Sequence, residues 1–242
     1  MPYINTKLFD IQMILQLLFL LIFFFADFGA SLQTIFAGIL LCLVGIPHGA
    51  NDHLYREDQT WFGMAKFLTA YLGTMALYAL LWYFLPLGAL ILFFVISFHH
   101  FGQSNFENKH VWYLPSILWR ILLLAIPVVL HFEEALLIFR SMIGMGKFNP
   151  IAVEFKIEGL AIWQIAILGS LAISYLVSIF HYQKQYFLKY VLQIVLVSLW
   201  YLFTPLLFGF IVIFCLWHAL QSIQHQVNFF TTFYLKKNLG FF

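Results

Sequence analysis

Long apolar runs recur along the whole chain and constrain its fold more than any other feature. Most are close to 20 residues long, which is typical of transmembrane helices. Only 9% of the 242 residues are charged, whereas soluble proteins contain about 25%. The sequence therefore predicts an all-α, polytopic integral membrane helix bundle that forms one domain over residues 1–242. We expect eight spans, at 11–30, 33–50, 65–85, 87–106, 113–131, 159–180, 187–204 and 206–227.

The distribution of lysine and arginine among the loops predicts the orientation of this bundle. Eight of these residues fall in the tails and loops on the side of the N-terminus, and three fall on the other side, all within 132–158. We therefore expect both termini on the cytoplasmic side of the plasma membrane. The connection 132–158 is expected to contain a short interfacial helix, in EEALLIFRSMIG. A net charge of +2 without a basic patch does not indicate a nucleic-acid partner.

Six of the nine histidines lie near the ends of three spans that cross the membrane in the same direction. Span two carries His48 and His53, span four carries His99 and His100, and span eight carries His218 and His225. Polar side chains in a span usually face the bundle interior, and neutral imidazole is the commonest metal ligand. The pattern predicts a metal site on the cytoplasmic side. In the competing interpretation, each histidine only contacts water or headgroups at the interface.

The spacing around the first two histidine pairs narrows the candidates. Asp52 lies four residues after His48, so on a helix its carboxylate could accept the second ring N–H of that histidine and fix its tautomer. His53 is about 140° around the helix from His48 and is the weaker candidate. His99 and His100 are about 100° apart, so only one of them can point at a common centre.

The third cluster, in WHALQSIQHQ, forms a single helical stripe. It contains His218, Gln221, Ser222 and His225. The two histidines are about 10 Å apart along a regular helix, too far to share one metal ion. Both can bind only if the helix is broken between Gln221 and His225. Otherwise we expect Gln221 or Ser222 to face the vacant position.

Three motifs resemble the Brp/Blh family of membrane-bound carotene dioxygenases. They are the Pro-His-Gly-Ala-x-Asp pattern from Pro47 to Asp52, the His-Phe-Gly pattern from His100 to Gly102, and Trp217–His218 with the residues that follow. The resemblance extends over nearly the whole chain as a pattern of spans. It implies a membrane enzyme that splits β-carotene at its central double bond into two retinal molecules.

The resemblance also implies a ferrous ion, O₂ as co-substrate, and four histidine ligands. The positions that match here are His48, His100, and one or both of His218 and His225. In the third motif the family has two histidines four residues apart. If His218 is aligned with the first, Ser222 stands at the second position. If His225 is aligned with the second, Gln221 stands at the first. Membrane lipid would surround the enzyme, and retinal could pass to a rhodopsin.

Other functions remain open at this point. Imidazole also suits zinc, copper and nickel, so the sequence alone does not identify the metal. Another metal-dependent membrane oxidoreductase, acting on a lipid or an apocarotenoid, would use the same histidines. A haem protein would hold its ligands as facing pairs, and a non-catalytic rhodopsin-assembly factor would need neither iron nor O₂. The clustered HxxxH and HxxHH patterns of di-iron desaturases are absent from the sequence.

Overall fold

A computed structural model describes residues 6–26, 29–50, 60–101, 113–146 and 159–238. These residues form α-helices, two π-helical turns and one 3₁₀ turn, with no strand among them. The α-helices are α1 Thr6–Phe25, α2 Ala30–Leu40, α3 Pro47–Ala50, α4 Trp61–Phe84, α5 Pro86–Phe101, α6 Leu114–Leu130, α7 Phe132–Met142, α8 Ile162–Tyr182, α9 Phe187–Phe203, α10 Leu206–Ile213 and α11 Leu220–Asn238. The all-α prediction is confirmed for the described part of the chain.

Six helical stretches within the described residues are long and apolar enough to cross a membrane. They are Lys7–Phe25, Ala30–Gly49, Trp61–Phe84, Ile162–Tyr182, Lys184–Phe203 and Leu206–Thr231. The pair α6 and α7, bent by 98°, would raise the number to seven if it crosses as one broken span, and α5 is apolar but shorter. A multi-pass membrane bundle is therefore compatible with the structure, whereas the count of eight and the orientation stay predictions.

Local sequence explains where several of these helices begin. The side chain of Thr60 accepts a hydrogen bond from the amide of Gly63, 3.1 Å away, and so caps the start of α4. Pro86 opens α5, where proline is favoured because the first helical amide needs no partner. The connection between spans five and six contains α7, so the short helix expected in that segment is confirmed, while its position at the membrane interface stays a prediction.

The buried core lies among α1, α6, α8, α9 and the C-terminal stretch α10–α11. Its largest fully buried side chains are aromatic and include Trp119, Trp200, Trp217, Tyr175 and Tyr190. Helix α4 differs, because most of its side chains are exposed in the isolated chain. An apolar helix with so little buried surface is consistent with contact with lipid on most of its faces.

Candidate metal centre

The structure brings three of the predicted histidines together from three distant parts of the chain. His48, His100 and His218 each offer one ring nitrogen, and these nitrogens lie within 4.8 Å of one another. A single point can therefore lie about 2.8 Å or less from all three, close to the 2.0–2.1 Å of a typical metal–imidazole bond. The arrangement can hold a metal ion after shifts of well under an ångström per ring.

The three rings differ in exposure, and the ring of His218 meets each of the other two edge to face. His218 is buried at 2% exposure, His48 is partly buried and His100 is exposed. The ring centroids of His100 and His218 are 4.6 Å apart and those of His48 and His218 are 5.1 Å apart. The cluster thus runs from the bundle core to its surface, so one side of the site is accessible.

A π-helical turn precedes His48 and positions it. In Leu41–Gly45 the amide of Ile46 bonds to Leu41 O, five residues back, and α3 then starts at Pro47. The Nδ1 atom of His48 contacts Gly45 O. A carbonyl oxygen can only accept, so Nδ1 is the donor, and in the neutral ring Nε2 keeps the lone pair that a metal requires. Gln226 Nε2 donates to His48 O over 2.5 Å and ties this segment to α11.

A second π-helical turn, Phe214–Ala219, contains His218. The amide of Leu220 bonds to Cys215 O, five residues back, rather than to Leu216 O, four residues back. Leu216 O instead accepts a 2.5 Å hydrogen bond from Gln12 Nε2 in α1. Turns of this kind are frequent at functional sites, and here two of them contact each other beside the histidine cluster.

Gly45 allows the two π-helical turns to approach closely. A Cβ atom at this position would lie 2.9 Å from Leu41 Cδ2 and 3.5 Å from both Cys215 Sγ and Phe214 Cε1. The two 3.5 Å distances are ordinary van der Waals contacts, so a Cβ alone would require only a shift of the Leu41 side chain, whereas a larger side chain would enter the contact with Cys215 and Phe214. The close contact places the start of the His48 segment directly against the turn that contains His218.

Two glutamines of α1 support the second π-helical turn, and both are fully buried. Gln12 bonds to Leu216 O and its Oε1 accepts from Gln221 Nε2 at 3.2 Å. Gln16 Oε1 accepts from Trp217 Nε1 at 2.7 Å. The sequence analysis did not select these residues, although two glutamines four apart in an apolar run, in DIQMILQLL, are a signal of interhelical hydrogen bonds.

The structure describes three of the other predicted site residues. His225 lies on the regular helix α11, unbroken from Leu220, and is not a member of the cluster of three. Gln221 bonds to Gln12, and Ser222 is partly buried on the same helix. The ligand role of His225 and the supporting roles of Gln221 and Ser222 stay predictions. Asp52, with His53, lies outside the described residues.

Comparison with known proteins identifies the family. Residues 39–242 match the sequence model of the family described as beta-carotene 15,15'-dioxygenase. The chain belongs to the beta-carotene 15,15'-dioxygenase family. The matched region includes all three clustered histidines, whereas α1 precedes it, so the resemblance found in the sequence motifs is confirmed at the level of the family.

One curated relative adds limited support. A protein of an uncultured marine bacterium, 66A03, named "Beta-carotene 15,15'-dioxygenase", is 33% identical over 73 residues. This segment covers 28% of the present chain and 26% of the relative. No solved structure matches the chain. The family name thus points to a carotenoid dioxygenase.

Proposed function

We propose that this protein is a membrane enzyme that cleaves the central double bond of β-carotene, or of a related carotenoid, with O₂ at a ferrous ion. The observation that carries the proposal is the convergence of His48, His100 and His218 within 4.8 Å. Membership of the dioxygenase family supports the reaction class. Several long apolar helices support a location in the membrane, where such a substrate dissolves. The plasma membrane and the cytoplasmic side are proposed from the loop charges.

The three side chains fit iron. Neutral imidazole suits iron as a ligand, and a set of three leaves coordination positions for other groups. When bound, ferrous iron would supply the one-electron chemistry that lets O₂ react with an electron-rich carbon–carbon double bond. Because α11 is unbroken between Gln221 and His225, the condition for a fourth ligand from His225 is not met, and we propose His48, His100 and His218 as the ligand set.

The protein's own groups orient the ligands. Gly45 O fixes the ring of His48 so that Nε2 is available, and a ring nitrogen of His218 is hydrogen-bonded to the backbone of Phe101. Backbone acceptors of this kind hold a ligand's tautomer and ring orientation. Here they leave each of these rings one nitrogen for the metal.

Aromatic side chains surround the cluster on the buried side. The ring of Phe101 lies 4.9 Å from that of His218, and the ring of Phe214 lies 5.3 Å from both His48 and His218, measured between centroids. They limit access of water, which protects a reactive site from side reactions. The exposed edge at His100 offers a route for an apolar substrate from the lipid.

The proposed reaction balances without a reductant. One carbon–carbon double bond breaks, two carbon–oxygen double bonds form, and each aldehyde receives one atom of O₂. No side chain needs to act as a nucleophile or proton donor, so the role of the protein is to position the polyene and exclude water. The retinal product could be handed to a rhodopsin in the same membrane.

The test is expression in cells that accumulate β-carotene, followed by extraction and quantification of both retinal and remaining carotene. We expect retinal to form, with ¹⁸O from ¹⁸O₂ in the aldehydes, and His100→Ala to abolish it. His99→Ala is the matched control, because His99 is the exposed neighbour of His100 and is not in the cluster. Intact carotene and no retinal, from well-expressed protein that contains iron, would exclude this substrate and favour another lipid or apocarotenoid.

A further inference from the structure

An apolar groove of about 840 Å³ lies between α4 and α5. Ligand sites for small molecules typically have volumes of about 300–1,000 Å³ and mostly apolar walls. Most of the lining side chains are aliphatic or aromatic. The lining residues include Phe67, Ala70, Tyr71, Thr74, Phe93 and Ser97.

The polar atoms of two lining residues are already engaged in hydrogen bonds. Thr74 Oγ1 donates to Ala70 O within α4, over 2.8 Å. Tyr78 Oη donates to Ala89 O over 3.1 Å and links α4 to α5 at the end of the groove far from the histidines. Apart from the hydroxyl groups of Tyr71 and Ser97, the groove offers hydrocarbon and aromatic surface to an occupant, which favours an apolar molecule over a polar one.

The groove leads toward the metal centre. Phe93 and Ser97 line it, and His100 follows at the i, i+4, i+7 spacing of one helical face. His100 is only one turn, about 4.5 Å along the axis, beyond Ser97. Since α4 and α5 run antiparallel, Phe67 and Tyr71 form the opposite wall near this same end.

We propose that this groove binds one apolar arm of the polyene, so that the carbon–carbon double bond to be cleaved lies beyond Ser97 at the histidine cluster. The inference rests on the proposed function and names where its substrate is held. Its occupant is an extended carotenoid hydrocarbon, because the apolar lining is continuous with the face of α5 that carries His100. A membrane phospholipid tail is the competing occupant.

The test compares two tryptophan substitutions on α4. Ala70→Trp fills the groove, whereas Ala79→Trp, nine residues further and half a turn around the helix, lies outside it. Both alanines are exposed in the isolated chain, so neither substitution disturbs the core. Each protein is purified into phospholipid nanodiscs, and its affinity for β-carotene is measured from the absorption spectrum alongside its iron content.

We expect Ala70→Trp to weaken β-carotene binding at least about tenfold, the effect of poor steric fit in an apolar site, with unchanged iron. Ala79→Trp should bind like the wild type. If the wild type binds and cleaves β-carotene and both variants behave alike, the groove holds only lipid and the assignment is wrong, although the proposed function stands. If the wild type with iron neither binds nor cleaves β-carotene, the proposed function fails, and with it the groove assignment.

Discussion

The hydrogen bonds from α1 to the π-helical turn around His218 give a sharp prediction. Gln12 is fully buried, donates to Leu216 O and accepts from Gln221 Nε2. Methionine has a similar length and no amide, so Gln12→Met removes both hydrogen bonds while keeping most of the packing. The change leaves the carbonyl of Leu216 without this hydrogen bond, and the amide of Leu220 does not replace it because it bonds to Cys215 O.

The size of the effect follows from these two bonds. Leaving one buried polar group unsatisfied in a soluble protein costs about 1–3 kcal/mol. Side-chain hydrogen bonds between membrane helices average only about 0.6 kcal/mol and reach about 1.7. The membrane value applies here, so the loss of both bonds should lower the free energy of unfolding by about 1–3 kcal/mol in total. Because the bonds support the turn that carries a ligand, iron affinity should fall about 10–100-fold.

Iron affinity is measured by competition with a chelator, and unfolding by a thermal scan of the same purified protein. The matched control is Ile14→Met, since Ile14 is 65% exposed on the same helix and receives the same new side chain. A Gln12→Met protein that unfolds at a lower temperature but keeps the iron affinity of the control would refute the reasoning. Gln12 would then stabilise the bundle without positioning His218.

Three further predictions concern the site directly. His218→Ala should lose its iron while His225→Ala keeps most of it, as measured in the purified proteins; the reverse result would move the ligand to α11. Gly45→Val should force the π-helical turns apart, lower the free energy of unfolding by about 1–3 kcal/mol and lower iron affinity. An unchanged thermal midpoint and an unchanged iron affinity would show that the contact between the turns is not tight. Asp52→Asn should reduce iron affinity or retinal formation about 10–100-fold, and wild-type values for both would limit Asp52 to capping the helix.

The sequence predicted the elements that depend on composition. Apolar runs predicted the helices, and the positions of His48, His100 and His218 near the same ends of three predicted spans indicated that they could meet, as their ring nitrogens do. That prediction rested on the fixed length of a span, which places residues near the same ends of such spans at similar depths.

Other features depend on three-dimensional contacts that periodicity does not report. The sequence analysis made ligation by both His218 and His225 conditional on a break between Gln221 and His225, whereas the irregular turn lies earlier, at Phe214–Ala219. That turn contacts Gln12 and Gly45, which lie on helical segments far away in sequence. At the bend between α6 and α7, the ring of His131 likewise makes a 2.6 Å hydrogen bond to Tyr201 O in α9.

The most direct test of the account is X-ray absorption at the iron edge of the purified, iron-loaded protein. The account predicts at least three imidazole nitrogens at about 2.1 Å, with the outer-shell scattering typical of histidine rings. His218→Ala, reloaded with iron, should lose either the metal or one of these rings. An iron-free wild type, a haem spectrum, or fewer than three imidazoles would contradict the central claim that His48, His100 and His218 hold the metal.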